Sequence, residues 1–210
     1  MALIRVTLHS DGSSDAALLP IISWTIHQPS PDRQVEIVWA DLRRLPRAPT
    51  GLARRIESAV ALYPCDLLCV HRDAENQDPL LRYQEIQDAI APLRARPNFA
   101  PHVCIVPARM QEAWLLLDEA AIREAAGNPN GQMRLDMPPI DRIEHLPDPK
   151  QHLFELIRMA SGLSARRRKR LPVTSHAYRV SSIISDFTPL RRLRAFNTFE
   201  NDIRQILARL

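Results

Sequence analysis

The ten residues DLLCVHRDAE, from Asp66 to Glu75, decide how this chain folds. Asp66 to His71 is an apolar run of strand length that starts just after Pro64, and it passes directly into Arg72, Asp73 and Glu75. The same order opens the chain, where Ala2 to Leu8 leads into Ser10, Asp11, Gly12, Ser13, Ser14 and Asp15. In open α/β sheets the functional crevice lies beyond the carboxyl ends of the strands, so acids gathered there are better placed for chemistry than acids scattered over helices.

Outward from these two runs, strands and helices alternate. Ala16 to Gln28 predicts a helix with Leu18, Leu19, Ile22 and Ile26 inward, capped by Ser14 or Asp15 and kinked or delayed by Pro20. Val35, Ile37 and Trp39 alternate with polar neighbours over Gln34 to Ala40, a strand pattern. Gly51 to Tyr63 and Leu80 to Arg94 read as amphipathic helices, and His102 to Val106 as a fourth strand. The order β-α-β-α-β-α-β predicts an α/β fold with a mostly parallel sheet flanked by helices. Met110 to Ala126 continues as helix, interrupted where Asp118 can act as a new N-cap, and Gly127 to Gly131 stops it. The domain reading is an α/β unit over 1–126, a proline-rich connection over 127–150, and a basic helical part over 151–210 that packs on the sheet. Within that last part, His152 to Met159 and Pro189 to Leu210 carry the helical patterns.

The 210 residues, 45% apolar and 25% charged, suit one folded domain with an appendage rather than a disordered chain. No apolar stretch approaches the roughly 20 residues needed to span a bilayer, so no membrane association is expected. Cys65, Cys69 and Cys104 each fall in an apolar run, as reduced core thiols do, which points to the cytoplasm and away from zinc. Charge is unevenly spread. Residues 151–210 carry 12 Lys plus Arg against 4 Asp plus Glu, net +8, and the remainder carries 16 against 20, net −4. An acidic part beside a basic part suits metal-assisted chemistry on a polyanion; a solvated basic helix is the plainer alternative.

The sequence lacks a P-loop, a dinucleotide-binding glycine fingerprint and a Gly-x-Ser-x-Gly elbow. What remains is Asp11 and Asp15 after the first strand with Asp73 and Glu75 after the third. These are hard oxygen ligands suited to Mg²⁺ or Mn²⁺, and Asp73 and Glu75 reach one cation together if their segment is extended. Equally, Asp11 and Asp15 could cap a turn and a helix while Asp73 ends a strand. Glu112 could add a ligand or a general base, or simply favour a helix start, and Trp114 reads as core. Lys150 could neutralise a transition-state phosphate or be a surface charge. The run Arg166, Arg167, Arg168, Lys169 and Arg170 could bind nucleic-acid phosphates, bind an acidic partner or be an exposed hinge. No platform for stacking single-stranded bases is evident.

Over residues 1–126 this pattern resembles the Toprim domain of topoisomerases, primases and overcoming-lysogenization-type nucleases, with an acid and a glycine after the first strand and paired acids after the third. More closely, Ser10 to Asp15, His71 to Glu75, Glu112 to Asp118 and Asp148-Pro149-Lys150 resemble a small, uncharacterised bacterial group of Toprim-like proteins suspected of working beside an ATPase in phage defence. The resemblance implies a Mg²⁺- or Mn²⁺-dependent phosphodiesterase acting on DNA or RNA. By that resemblance Asp11, Asp73 and Glu75 would hold the metal; the residues themselves add Glu112 as the assisting group and Arg166 to Arg170 as the hold on the nucleic acid. The family usually carries glutamate where Asp11 stands and aspartate where Glu75 stands. That departure leaves an alternative: a catalytically inactive Toprim-like interaction protein that docks on an ATPase or on nucleic acid.

Overall fold

The computed structural model describes residues 3–210, the Arg44 side chain excepted; Ala2, expected to begin the first strand, lies outside them. The chain is an α/β protein with a four-stranded, all-parallel sheet. Its strands are β1 (Ile4–His9), β2 (Val35–Trp39), β3 (Leu67–His71) and β4 (His102–Ile105), in the order β2-β1-β3-β4. Between them run α1 (Leu18–His27), α2 (Leu52–Leu62) and α3 (Pro79–Arg94). β1 and β3 are central, paired from Val6 opposite Leu67 to His9 opposite Val70.

Strand alternation sorts the core into two faces. Val6, Leu8, Leu67, Cys69, Val103 and Ile105 join α1, whereas Leu68, Val70 and Cys104 join Ile56 of α2 and Ile86 and Ile90 of α3. The strand order explains the split. The step from β1 to β2 runs one way along the sheet and the later steps run the other way, so right-handed crossovers put α1 on one face and α2 and α3 on the opposite one. The connections leaving β1 and β3 therefore diverge, and a crevice opens beyond the ends of these two strands.

Pro20 acts as the sequence predicts: a 3₁₀ turn over Ser13–Ala17 precedes the regular helix, so the missing N–H of Pro20 falls in the first turn of α1. Asp118 likewise caps α4 (Glu119–Ala125), accepting from the Ala121 N–H at 3.0 Å, after a separate 3₁₀ turn over Gln111–Leu115. The proline-rich connection contains a further 3₁₀ turn, Ile140–His145.

Beyond it lie α5 (Pro149–Ala160), the short α6 (Ala165–Arg168), α7 (Val173–Ile183) and α8 (Arg194–Leu207). The sequence reading places no helix at α7. Thr174, Ser175, His176, Ser181 and Ser182 lower its helix propensity and blur its pattern, and the buried stripe consists of Val173, Ala177 and Val180 with the polar Ser181. Leu153, Ile157, Val180, Phe187, Phe196 and Ile203 from this region are buried in the same cluster as the α1 face of the sheet.

Aromatic rings fasten that cluster. Trp114 meets Phe196 edge-on with centroids 5.4 Å apart and lies against Phe199 at 6.1 Å, while Trp24 meets Phe187 at 5.8 Å. Phe196 is fully buried, so Phe196→Ala leaves a cavity at the centre of this packing. The expected loss is about 3–5 kcal/mol in urea denaturation, against less than about 0.5 kcal/mol for Tyr178→Ala, a residue that is 46% exposed.

Candidate functional site

The crevice beyond β1 and β3 is built by three successive strand ends. β1 delivers His9, Ser10 and Asp11, and the following 3₁₀ turn delivers Asp15. β3 delivers His71, Arg72 and Asp73. The segment after β4 delivers Gln111 and Glu112, and the first turn of α5 adds Lys150. Alternation carries the earlier face rule into the site: His9 and Arg72 belong to the α2 side, and His71 and Asp73 to the α1 side.

On the α1 side the acids are tied to one another through Gln111. Asp73 Oδ1 accepts the Gln111 backbone N–H at 2.9 Å, and Asp15 Oδ1 accepts the Gln111 side-chain amide at 3.0 Å. Asp15 also accepts the Gly12 N–H at 2.9 Å and the Ser14 hydroxyl at 3.1 Å, so it does fasten the turn. Gly12 takes φ −129°, an ordinary extended conformation, and nothing there demands a glycine.

His71 is buried between these groups, with Nε2 3.3 Å from Asp73 Oδ1 and Nδ1 3.0 Å from the Ile105 carbonyl oxygen. Burial alone would disfavour its charge, but the hydrogen bond and charge of Asp73, with the charge of Asp15, lift its pKa to about 9. Glu112 is buried as well. Its Oε1 stands 3.1 Å from the Lys150 ammonium, and its Oε2 has no hydrogen-bond partner. Burial raises the Glu112 pKa against the pull of Lys150. Burial works against the charge of Lys150, yet Glu112, Asp73 and Asp15 together raise its pKa.

On the α2 side Asp11 is held by two arginines. Its Oδ1 lies 2.5 Å from Arg55 Nη1 and its Oδ2 lies 2.9 Å from Arg72 Nη1. The four residues expected to act together are therefore dispersed in their bonding: Asp11 to arginines, Asp73 to Gln111 and His71, Glu112 to Lys150. Glu75 is exposed, with Arg82 3.9 Å away. The premise of an extended segment fails at Glu75, because β3 ends at His71 and Glu75 adopts φ 54°, a left-handed conformation that turns it out of alternation. Among the described residues no three His, Cys, Asp or Glu side chains are grouped so as to hold a metal ion.

The basic run occupies α6 and the residue pair after it; Arg166, Arg167, Lys169 and Arg170 are exposed and Arg168 is partly buried. A shallow groove lined by Ser13, Ser14, Pro172, Ser175 and Tyr178 connects the turn after β1 with the start of α7, three residues past Arg170. A separate, mostly apolar cavity of about 310 Å³ lies between α3, β4 and α8, lined by Leu80, Tyr83, Cys104 and Ala195. It contains none of the residues of the crevice.

Sequence reasoning missed Arg55, His9 and Gln111. Alternation along β1 could have placed His9, but nothing distinguishes Arg55 from other arginines on helix surfaces. No family model, curated protein or solved structure matches the chain, so the Toprim likeness rests on the motifs alone.

A folded pKa above the ordinary value of 6.5 means that the His71 pairing stabilises fully below about pH 6.5 and is lost as pH rises towards about 9. The urea midpoint of the wild type should fall across that interval, and the fall should shrink in Asp73→Asn. Imidazole ¹⁵N shifts should show His71 doubly protonated at pH 7.5 in the wild type only.

Proposed function

We propose that the α1 side of the crevice is a Mg²⁺- or Mn²⁺-assisted phosphodiesterase site acting on DNA or RNA. The observation that supports it is Glu112: a buried carboxylate with one oxygen unpartnered, beside Asp73, and balanced by a lysine ammonium standing where a cation would be stabilised. Mg²⁺ ordinarily takes one or two protein carboxylates and fills its other positions with water and substrate phosphates, so a two-carboxylate site fits this ion without a complete cage. Asp73 and Glu112 are the residues that would hold it. A bound divalent ion supplies polarisation of a phosphate and a water more acidic than bulk.

The remaining roles belong to the chain itself. The imidazolium of His71 and the Gln111 N–H fix the Asp73 carboxylate from two directions. Lys150, whose side chain is 41% exposed, is free to leave Glu112 for a phosphate oxygen once another cation neutralises that carboxylate. The largely exposed run Arg166 to Arg170, which ends two residues before Pro172 in the groove beside Ser13 and Ser14, would hold flanking phosphates and make binding fall steeply with salt. A partner ATPase and a role in phage defence follow only from the resemblance; because this sequence has no P-loop, any ATP-driven step would need such a partner.

One observation favours the second reading, an inactive scaffold that docks on an ATPase or nucleic acid: both carboxylate oxygens of Asp11, the family's first acidic position, are occupied by guanidinium groups. Two measurements separate the readings. Titration calorimetry of Mn²⁺ should show binding to the wild type that is lost in Asp73→Asn with Glu112→Gln. Cation-dependent cleavage of labelled single-stranded and duplex DNA and RNA should drop at least about a hundredfold in either single variant. Cleavage that survives both substitutions would sink the assignment, and a wild type that neither binds Mn²⁺ nor cleaves would favour the scaffold.

A further inference from the structure

The α2 side of the crevice is cationic, and its acid, Asp11, is more exposed than the two arginines that hold it. Arg55 is anchored by its Nη2 donating to the Ser10 carbonyl oxygen at 3.1 Å, and Arg72 by its Nη2 3.3 Å from Glu85. Each guanidinium extends its Nη1 to a different oxygen of Asp11. The arginine side chains are 26% and 17% exposed, whereas that of Asp11 is 47% exposed. On the same face of the sheet His9 is 1% exposed, and neither of its ring nitrogens has a hydrogen-bond partner. It pairs with Val70, two residues before Arg72 on the neighbouring strand, and the charges of Arg55, Asp11 and Arg72 act on it. A buried imidazole with an unused N–H, on the side of two anchored guanidiniums, is a donor set with one acceptor missing.

We infer that Arg55, Arg72 and His9 form a binding site for the terminal phosphate of a nucleic-acid strand, and that Asp11 occupies it as an internal stand-in for that phosphate. Guanidinium forks match the oxygens of carboxylate and phosphate alike, which is why one can replace the other. The number of donors selects the ligand. A phosphate monoester presents three terminal oxygens, one each for Arg55, Arg72 and His9; a phosphodiester presents two and leaves a donor unmet. The ligand displaces Asp11, the exposed partner, while the anchored arginines stay in place. This inference rests on reading the crevice as a nucleic-acid site and narrows the substrate to strands with a phosphorylated end.

The test is run with EDTA and without divalent cations, so that its outcome is independent of the metal assignment. Imidazole ¹⁵N signals of His9 are followed at constant ionic strength while inorganic phosphate, a 5′-phosphorylated dinucleotide, a 3′-phosphorylated dinucleotide or the unphosphorylated dinucleotide is added. Phosphate and at least one phosphorylated dinucleotide should shift the His9 signals saturably, and the unphosphorylated dinucleotide should not. In Asp11→Asn the phosphate affinity should rise at least about fivefold, because the clamp no longer spends most of its time filled by its own carboxylate. In Arg55→Gln the shift should disappear; Arg72→Gln serves the same purpose should that variant fail to fold. His9 signals unmoved by phosphate in both wild type and Asp11→Asn would overturn the inference. So would equal responses to phosphorylated and unphosphorylated dinucleotides, an Asp11→Asn affinity no tighter than wild type, or a shift that persists without the arginine.

Discussion

The parallel pairing of β1 with β3 is the constraint on which the rest of the structure depends. Backbone hydrogen bonding holds Val6 to His9 level with Leu67 to Val70, so the two strands end within one residue of each other and release their next residues side by side. The chain must leave β1 towards one edge of the sheet and β3 towards the other, and right-handed crossovers then forbid either helix from covering the gap. A slip of one residue would exchange the faces of every side chain in the strand, moving Leu8 out of the α1 core and His9 into it. The register that buries the core is thus the register that distributes the charges of the crevice.

That distribution is uneven in a definite way. Two acids in the crevice are balanced by cations: Asp11 by Arg55 of α2 together with Arg72, Glu112 by Lys150 of α5. The first balance is exposed on the carboxylate side, where water can solvate a released Asp11. The second is buried on the carboxylate side, where an unpaired charge is expensive, so Lys150 can withdraw only when another positive charge takes its place. On the proposed reading, Glu112 and Lys150 would act as a coupled pair, with the lysine released only when another cation takes its place.

Much of this architecture was legible beforehand because it depends on local signals that tertiary packing reinforces. The alternation of Val35, Ile37 and Trp39, the helical spacing of Ile86 and Ile90, the delay imposed by Pro20 and the cap at Asp118 all appear where their chemistry places them. α7 was hidden because its stripe is narrow and its other faces are rich in Ser, Thr and His, residues that serve turns as readily as helices. The site was legible in location and less so in membership. Acids cluster at strand ends as expected, but Glu75 leaves the cluster through a backbone dihedral that no spacing rule reveals. Asp11 is claimed by Arg55, 44 residues away in sequence, a partnership that exists only once α2 has docked.

His9 and His71 show how little sequence distinguishes groups that the fold makes opposite. Both end a central strand, and both are buried. One residue of difference in alternation puts His71 against Asp73 and Asp15, which lift its pKa to about 9. Burial and the guanidinium of Arg55 push that of His9 down to about 4. Near neutral pH the first ring is an imidazolium that steadies a carboxylate, and the second is a neutral ring with a donor to offer. The crevice is accordingly anionic on the α1 side and cationic on the α2 side of the β1–β3 pair. A phosphorylated strand end seated on the cationic side would bring its neighbouring phosphodiester towards Asp73 and Glu112. On the proposed reading, the separation of charge across the β1–β3 pair would favour one strand polarity, with the phosphorylated end on the arginines and the diester beside the carboxylates that would hold the cation.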